Sequence, residues 1–220
     1  MSSDTAKRKL YAHVAGVARA LGHEHRLELL EHLGQGEKTV ELLARRTGLA
    51  FANVSQHLQQ LRRSGLVVAQ RQGKSVRYRL AEGPVVDTIS ALQALAEHNL
   101  AEIRETVRTY LTSIDAMEPL SPAELASRLG EGTITLLDVR PDDEFRAGHL
   151  PGALHFPIET LEQRLAELPA GAPIVAYCRG PYCVLSFKAA RLLRERGFEV
   201  RRLRDGFPEW KAAGRPVEVG

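Results

Sequence analysis

Pro173-Ile174-Val175-Ala176-Tyr177-Cys178-Arg179-Gly180-Pro181-Tyr182-Cys183-Val184-Leu185-Ser186 holds both cysteines of a 220-residue chain. Its first five residues are apolar and β-prone, and the run after Ser186 is rich in helix formers. The cysteines therefore fall on a strand-to-helix turn. A thiol placed there meets backbone N–H groups and the positive end of a helix, which favour the thiolate, the nucleophilic form. The alternative is a pair of small buried side chains, the commoner use of free cysteine. Core cysteines are usually scattered; these two share the one loop where anion chemistry would want them.

Outward from this loop, strand and helix signals alternate. Strands are expected at 134–139, 173–177 and 199–203, with helices at 122–129, 160–168 and 187–196. That alternation predicts an α/β domain with a mainly parallel sheet, whose functional groups sit at the carboxyl ends of strands. Cys178 follows such an end. Residues 116–121, containing Met117-Glu118-Pro119-Leu120-Ser121, read as a linker, so the domains expected are 1–115 and 122–220. Two domains of about 100 residues match the usual domain size.

No stretch approaches the ~20 apolar residues that span a bilayer, and Met1-Ser2-Ser3-Asp4 lacks a signal-peptide core. A soluble cytoplasmic protein without membrane partners is expected, with its thiols reduced and reactive rather than bridged. Net charge is +3, yet residues 36–80 alone carry nine basic and two acidic side chains. Such a concentration points to a polyanion partner, although a solvated basic face would look the same by charge alone.

Within that basic stretch the pattern is specific. An amphipathic helix is expected at 23–33, ended by Gly34 and Gly36. Thr39 can cap a helix at 40–46, Thr47-Gly48-Leu49 turns, and a second helix runs over 51–63. Two short helices about a glycine turn form a helix-turn-helix. In the second, Val54, Leu58 and Leu61 lie within roughly 60° on one face. The opposite arc collects Asn53, Ser55, Gln56, Gln59, Gln60 and Arg63. Amides, a hydroxyl and an arginine without one acid suit base edges and phosphates. His57, near the apolar stripe, reads as a packing residue. Residues 66–80 read as a β-hairpin turning at Gln72-Gly73-Lys74-Ser75, with Arg71, Lys74 and Arg77 placed to straddle a phosphate backbone.

Residues 85–113 lack Gly and Pro, and their apolar positions recur every three or four residues. A helix of roughly 40 Å is expected, and a seam with a second subunit explains its length, although packing on its own domain would also do so. Asp87, Glu97, His98, Glu102 and Glu105 do not form a tight ligand pattern. No metal and no other cofactor is expected.

Two resemblances now emerge. Ala20-Leu21-Gly22-His23-Glu24-His25-Arg26-Leu27, followed by Asn53-Val54-Ser55-Gln56-His57-Leu58, resembles the ArsR/SmtB family of winged-helix repressors. The likeness covers roughly residues 8–112 and implies a dimer that releases operator DNA when an inducer acts. The metal-sensing members that use the first helix of the motif carry cysteines there; Glu41-Leu42-Leu43-Ala44-Arg45 has none. Separately, Leu137-Asp138-Val139-Arg140 through Gly148-His149-Leu150-Pro151-Gly152-Ala153, the Cys178 loop, and Asp205-Gly206-Phe207-Pro208-Glu209-Trp210 together resemble a rhodanese domain. That resemblance implies a cysteine that takes sulfur from a sulfane donor as a persulfide and passes it on. The fold class expected is thus an N-terminal, mainly α winged helix-turn-helix domain and a C-terminal α/β rhodanese-like domain.

On these residues Cys178 is the candidate nucleophile, and Arg179 a nearby charge that lowers its pKa and attracts anions. Gly180, Pro181, Tyr182 and Val184 line the substrate loop. Asp138 and Arg140 brace it, and Trp210 belongs to the core. The helix after the loop is expected to start late, capped by Ser186, which would enlarge the pocket as in relatives that handle tetrahedral oxyanions. Cys183 is a candidate resolving thiol that attacks the Cys178 persulfide; otherwise it packs behind the loop.

The leading expectation is a dimeric DNA-binding regulator, a repressor joined through the 85–113 helix. It would bind double-stranded operator DNA and use its rhodanese domain to sense or transfer reactive sulfur. Its small partner would be a sulfur-containing anion or a thiol acceptor. The alternatives are a sulfurtransferase or thiol-dependent arsenate reductase with an autoregulatory DNA-binding module, and a DNA-binding dimer whose C-terminal domain is inert.

Overall fold

The structure, a computed structural model, describes residues 3–111, 114, 117–169 and 171–220. The expected helix end at 113 and the domain boundary at 115–116 lie outside them. By packing, the chain divides into two units, Met1–Val85 and Val86–Gly220.

The first unit begins with α1 (Ser3–Leu21), upstream of any helix expected from sequence, and α2 (Glu24–Gly34). Residue 23 caps α2, its ring nitrogen accepting from the His25 N–H at 3.2 Å. Arg26 on α2 is buried although charged. Its guanidinium donates to the Ala20 carbonyl and, at 2.8 Å each, to the Arg19 carbonyl and the Gln60 side chain. It thereby supplies donors and positive charge to the last carbonyls of α1, which have no partner within their own helix.

A two-residue strand, β1 (Lys38–Thr39), leads into α3 (Val40–Thr47), whose first turn is capped by Thr39 accepting from the Leu42 N–H at 3.3 Å. Then comes α4 (Phe51–Arg63), with Val54, Leu58 and Leu61 fully buried as their spacing predicts. The hairpin of β2 (Val67–Gln72) and β3 (Ser75–Leu80) pairs Gln72 with Ser75, and the antiparallel sheet runs β1-β3-β2.

In the second unit the expected 85–113 helix is broken. It divides into α5 (Val85–Asn99), α6 (Ala101–Thr106) and a wide turn, Val107–Leu111. Leu100 adopts φ −104°, ψ 115°, outside helical space. Side chains satisfy the carbonyls freed there: Asn99 donates to the Leu95 oxygen at 2.9 Å, and Arg104 to those of Glu97 and His98 at 2.8 and 2.6 Å. Apolar spacing registers a face but not a break that polar side chains stabilise locally.

The sheet beyond is fully parallel, in the order β5 (Leu154–His155), β4 (Thr135–Asp138), β6 (Ile174–Tyr177), β7 (Val200–Arg202). Side-chain alternation sends Leu137, Ile174 and Ala176 to one core, against Ala189, Ala190 and Leu193 of α10 (Val184–Glu195). Leu136, Val175 and Tyr177 enter the other, with Leu125 of α7 (Pro122–Glu131) and Phe207 and Trp210 of α11 (Phe207–Ala212). Covering both faces is what a parallel sheet requires. Two short helices, α8 (Asp142–Ala147) and α9 (Ile158–Leu161), complete the unit; the helix expected at 160–168 is largely a 3₁₀ turn, Glu162–Glu167. Leu120, expected in the linker, is fully buried and bridges to Leu203, its N–H donating to Arg202 at 2.7 Å. The sheet edge thus recruits a residue that composition alone assigned to a connection.

Candidate functional site

The first unit presents its polar residues outward. Asn53, Gln56, Gln59 and Arg63 of α4 are exposed and Ser55 is half-buried, opposite the apolar stripe. Gln60 differs: its side-chain oxygen is held by Arg26, which ties α4 to α2. Arg71 and Lys74 are exposed at the hairpin tip, where Arg71 donates to the Gly73 carbonyl at 3.2 Å. Arg77 pairs with Glu37 at 3.4 Å. Arg62 and Arg79, also exposed on α4 and β3, join the same basic surface; their sequence positions flanked the selected residues and carried the same charge.

His57 stands with His23 and His25, ring centroids 4.5 and 5.8 Å away. Burial holds its pKa below the ordinary histidine value, reinforced by His23, Arg26 and His25. This is the packing role its sequence position predicted. Among the described residues no group of three or more His, Cys, Asp or Glu side chains could hold a metal ion.

In the second unit, β6 carries the thiol. Alternation continues past Tyr177, so Cys178 points to the side of Ile174 and Ala176 and lies in the core beneath α10, 2% exposed. Its sulfur lies 3.3 Å from the Ser186 hydroxyl and donates to the Cys183 carbonyl at 3.4 Å. Burial pushes the thiol pKa up, but the Cys183 and Ser186 side chains and the N–H groups of Ser186 and Gly180 outweigh it, and the net shift is downward. The sequence treated Ser186 only as a helix cap. A hydroxyl in the first turn after a cysteine loop was the available signal.

The helix does not start late. Cys183 is the residue before its first turn and α10 begins at Val184, so the loop closes as a short ring from 178 to 183. The expected enlargement, and with it the argument for a tetrahedral oxyanion, falls away. Ser186 and Phe187 lie buried within the first turns of α10.

Arg179 has a structural partner that its sequence position did not reveal. Its guanidinium meets the fully buried Glu144 carboxylate at 2.9 and 3.1 Å, which anchors the loop to α8. Gly206 explains the tightness on the other flank: a Cβ there would lie 2.3 Å from the Arg179 carbonyl carbon and the Gly180 nitrogen. Only glycine allows that backbone approach. Pro181 and Tyr182 form the loop's outer side, and Tyr182 is 36% exposed.

Asp138 and Arg140 sit beside the loop, both fully buried and paired. Tyr177 donates to Asp138 at 2.6 Å and accepts from the Leu150 N–H at 3.0 Å, while Arg140 reaches the Gly148 carbonyl at 2.8 Å. The pair joins the ends of β4 and β6.

A winged helix-turn-helix unit and a rhodanese-like unit on one chain define a class of regulator, and comparison with known proteins agrees. A rhodanese-like domain model matches residues 121–213, and a helix-turn-helix domain model residues 21–70. The chain is 43% identical to HTH-type transcriptional regulator Rv0324 of Mycobacterium tuberculosis over 97% of its own length and 94% of that protein's. It therefore belongs to the family of helix-turn-helix transcriptional regulators that carry a C-terminal rhodanese-like domain. A sulfurtransferase of Allochromatium vinosum is 32% identical over 42% of this chain and 87% of its own. The solution structure of a homodimeric winged helix-turn-helix DNA-binding domain from Mycobacterium bovis is 36% identical, covering 46% of this chain and 93% of that one, with a TM-score of 0.42. No helix among the described residues is long and apolar enough to cross a membrane.

Proposed function

We propose that this transcriptional regulator responds to reactive sulfur, which it takes up as a persulfide on Cys178, and that this modification alters its affinity for operator DNA. The observation that carries the reading is the thiol's hydrogen bonding: despite full burial, the Cys183 and Ser186 side chains and the Ser186 and Gly180 N–H groups favour the thiolate. With thiosulfate as donor, the Cys178 thiolate attacks the outer sulfur, a new S–S bond forms, and sulfite leaves with the electron pair of the bond that breaks. The anionic persulfide occupies the same donors. Cys183 can then resolve it: its thiolate attacks the Cys178 sulfur, a disulfide forms, and hydrosulfide departs. Sulfane sulfur is itself the oxidant, so no other is needed.

Operator DNA would be held by the polar face of α4, with Asn53, Ser55, Gln56, Gln59 and Arg63 at base edges and Arg71, Lys74 and Arg77 on phosphates. Residues 1–115 would form the DNA-binding and dimerisation part of a cytoplasmic protein, with a second copy covering Leu92, Leu95 and Leu100, which are exposed on and just after α5. The burial of Cys178 favours slow, stoichiometric modification over steady sulfurtransferase turnover.

The test is direct. Intact protein treated with thiosulfate or polysulfide should gain about 32 Da, one sulfur atom, on the peptide containing Cys178. Operator affinity should change about 5- to 150-fold, the span of ordinary allosteric coupling. Equal affinity before and after modification, or an identical response from Cys178→Ser, would refute the reading.

A further inference from the structure

The first residue of α4 is a phenylalanine that the fold does not bury. Phe51 is 53% exposed, the most open of the large apolar side chains between residues 36 and 80; Val76 follows at 40% and Val68 at 36%. The other aromatic ring of that stretch, Tyr78, is 7% exposed. A single exposed apolar side chain is ordinary at a protein surface. Phe51 is set apart by its place. Val54, Leu58 and Leu61 hold α4 from one side, and its first three residues, Phe51, Ala52 and Asn53, all stand exposed. Ala50 caps the helix without a side-chain hydrogen bond, and the first turn holds no acid. By contrast, α2 and α3 are capped by the side chains of His23 and Thr39 and carry Glu24 and Glu41 in their first turns. No carboxylate in the first turn of α4 opposes the approach of a polyanion.

A recognition helix in the major groove meets base edges with the residues at its N-terminal end. Those edges carry donors and acceptors, and the one apolar group among them is the C5-methyl of thymine. We propose that Phe51 reads thymine, its ring packing on the C5-methyl group of a thymine in the operator. The inference rests on the reading of α4 as the DNA-binding face and adds to it a named base. The amides of Asn53, Gln56 and Gln59 can bond to hydrogen-bonding edges, which are the same whether or not the methyl is present. Discrimination of the methyl itself falls to Phe51.

The contact takes a methyl group and part of a ring out of water and involves no charge. Its worth is about four- to tenfold in affinity, that of one buried methyl group or slightly more. Contacts to phosphate weaken as salt rises, whereas this one does not.

The experiment uses the full chain and a duplex that wild type selects from a random-sequence pool. Each thymine of that duplex is replaced in turn by deoxyuridine, which deletes the methyl and leaves every donor and acceptor in place. Wild type should lose about four- to tenfold in affinity at one thymine, or at two related by the symmetry of a palindromic site, with the same ratio at low and high salt. Phe51→Ala should bind the thymine duplex about as weakly as wild type binds the deoxyuridine one, and should no longer distinguish the two. Wild type indifferent to every deoxyuridine, or a Phe51→Ala protein that keeps the discrimination through Ala52, would overturn the inference. Gln56→Ala combined with Gln59→Ala separates this failure from that of the wider reading. If that variant loses affinity while wild type ignores deoxyuridine, only the role of Phe51 falls. If it binds the selected duplex as wild type does, or if the pool yields no preferred duplex, α4 is not the reading surface and both fall.

Discussion

The polar face of α4 and the Cys178 loop both pair polar groups with a helix, but they use them in opposite ways. On α4, Asn53, Gln56, Gln59 and Arg63 are exposed. Around Cys178, the Ser186 hydroxyl, the Gly180 and Ser186 N–H groups, Arg179 and Glu144 are engaged inside the protein. The first surface is free to meet a partner and contributes little to folding. The second is organised before any partner arrives, so changing it disturbs structure and chemistry together. Substitutions should therefore separate cleanly between the two regions.

The largest effect is expected from Asp138→Asn, which removes the carboxylate paired with the buried Arg140 guanidinium. Removing one partner of a buried pair costs about 3–5 kcal/mol, which for a domain of ~100 residues lowers Tm by roughly 10 °C or more. Calorimetry should show this loss in the transition of the second unit. A Tm within a degree of wild type would mean that the pair does not brace the sheet.

Next in size, Gln56→Ala combined with Gln59→Ala should weaken operator binding about ten- to hundred-fold while leaving Tm and Cys178 alkylation unchanged. If stability fell instead, the α4 face would be part of the fold rather than a reading surface. Ser186→Ala probes the other region. Without that hydroxyl the Cys178 thiol should ionise at higher pH, so the midpoint of its alkylation rate against pH moves upward. An unmoved midpoint would assign the thiolate's stabilisation to the backbone N–H groups alone.

Smaller still, Lys74→Ala should lower affinity alike for all DNA sequences and reduce the salt dependence by about one unit of log–log slope. The smallest effect concerns pH. The folded protein holds the pKa of His57 below 6.5, so stability from this residue is full above that value and declines as pH falls, when the unfolded chain binds the proton more readily. His23, His25, Arg26 and Glu24 are the charged or titratable groups that act on it. His57→Gln should flatten the acid side of the first unit's stability profile; an unchanged profile would move the effect to another histidine.

Much of this was legible in the residues themselves. The bounds of α4, the Thr39 cap, the hairpin turn and the strand before Cys178 follow from periodicity and turn chemistry, which act over a few residues. The polar face of α4 was readable for the same reason, since one helix places its own side chains. The break at Leu100 was not, because it depends on Asn99 and Arg104 bonding to carbonyls that an unbroken helix would have used. Nor was the role of Arg179, because Glu144 lies 35 positions away along the chain.

What the sequence determined alone is the pair of domains, the surface offered by α4, and the placing of both thiols at a strand-to-helix turn. Tertiary structure decided whether those thiols are sealed or open, where α10 begins, and which charges are already spent. Local order depends on neighbours in sequence, whereas burial and charge pairing depend on which distant residues the sheet and its covering helices bring into contact. The chain places Cys178 at the end of a strand, and its access to solvent is set by the core that closes over it.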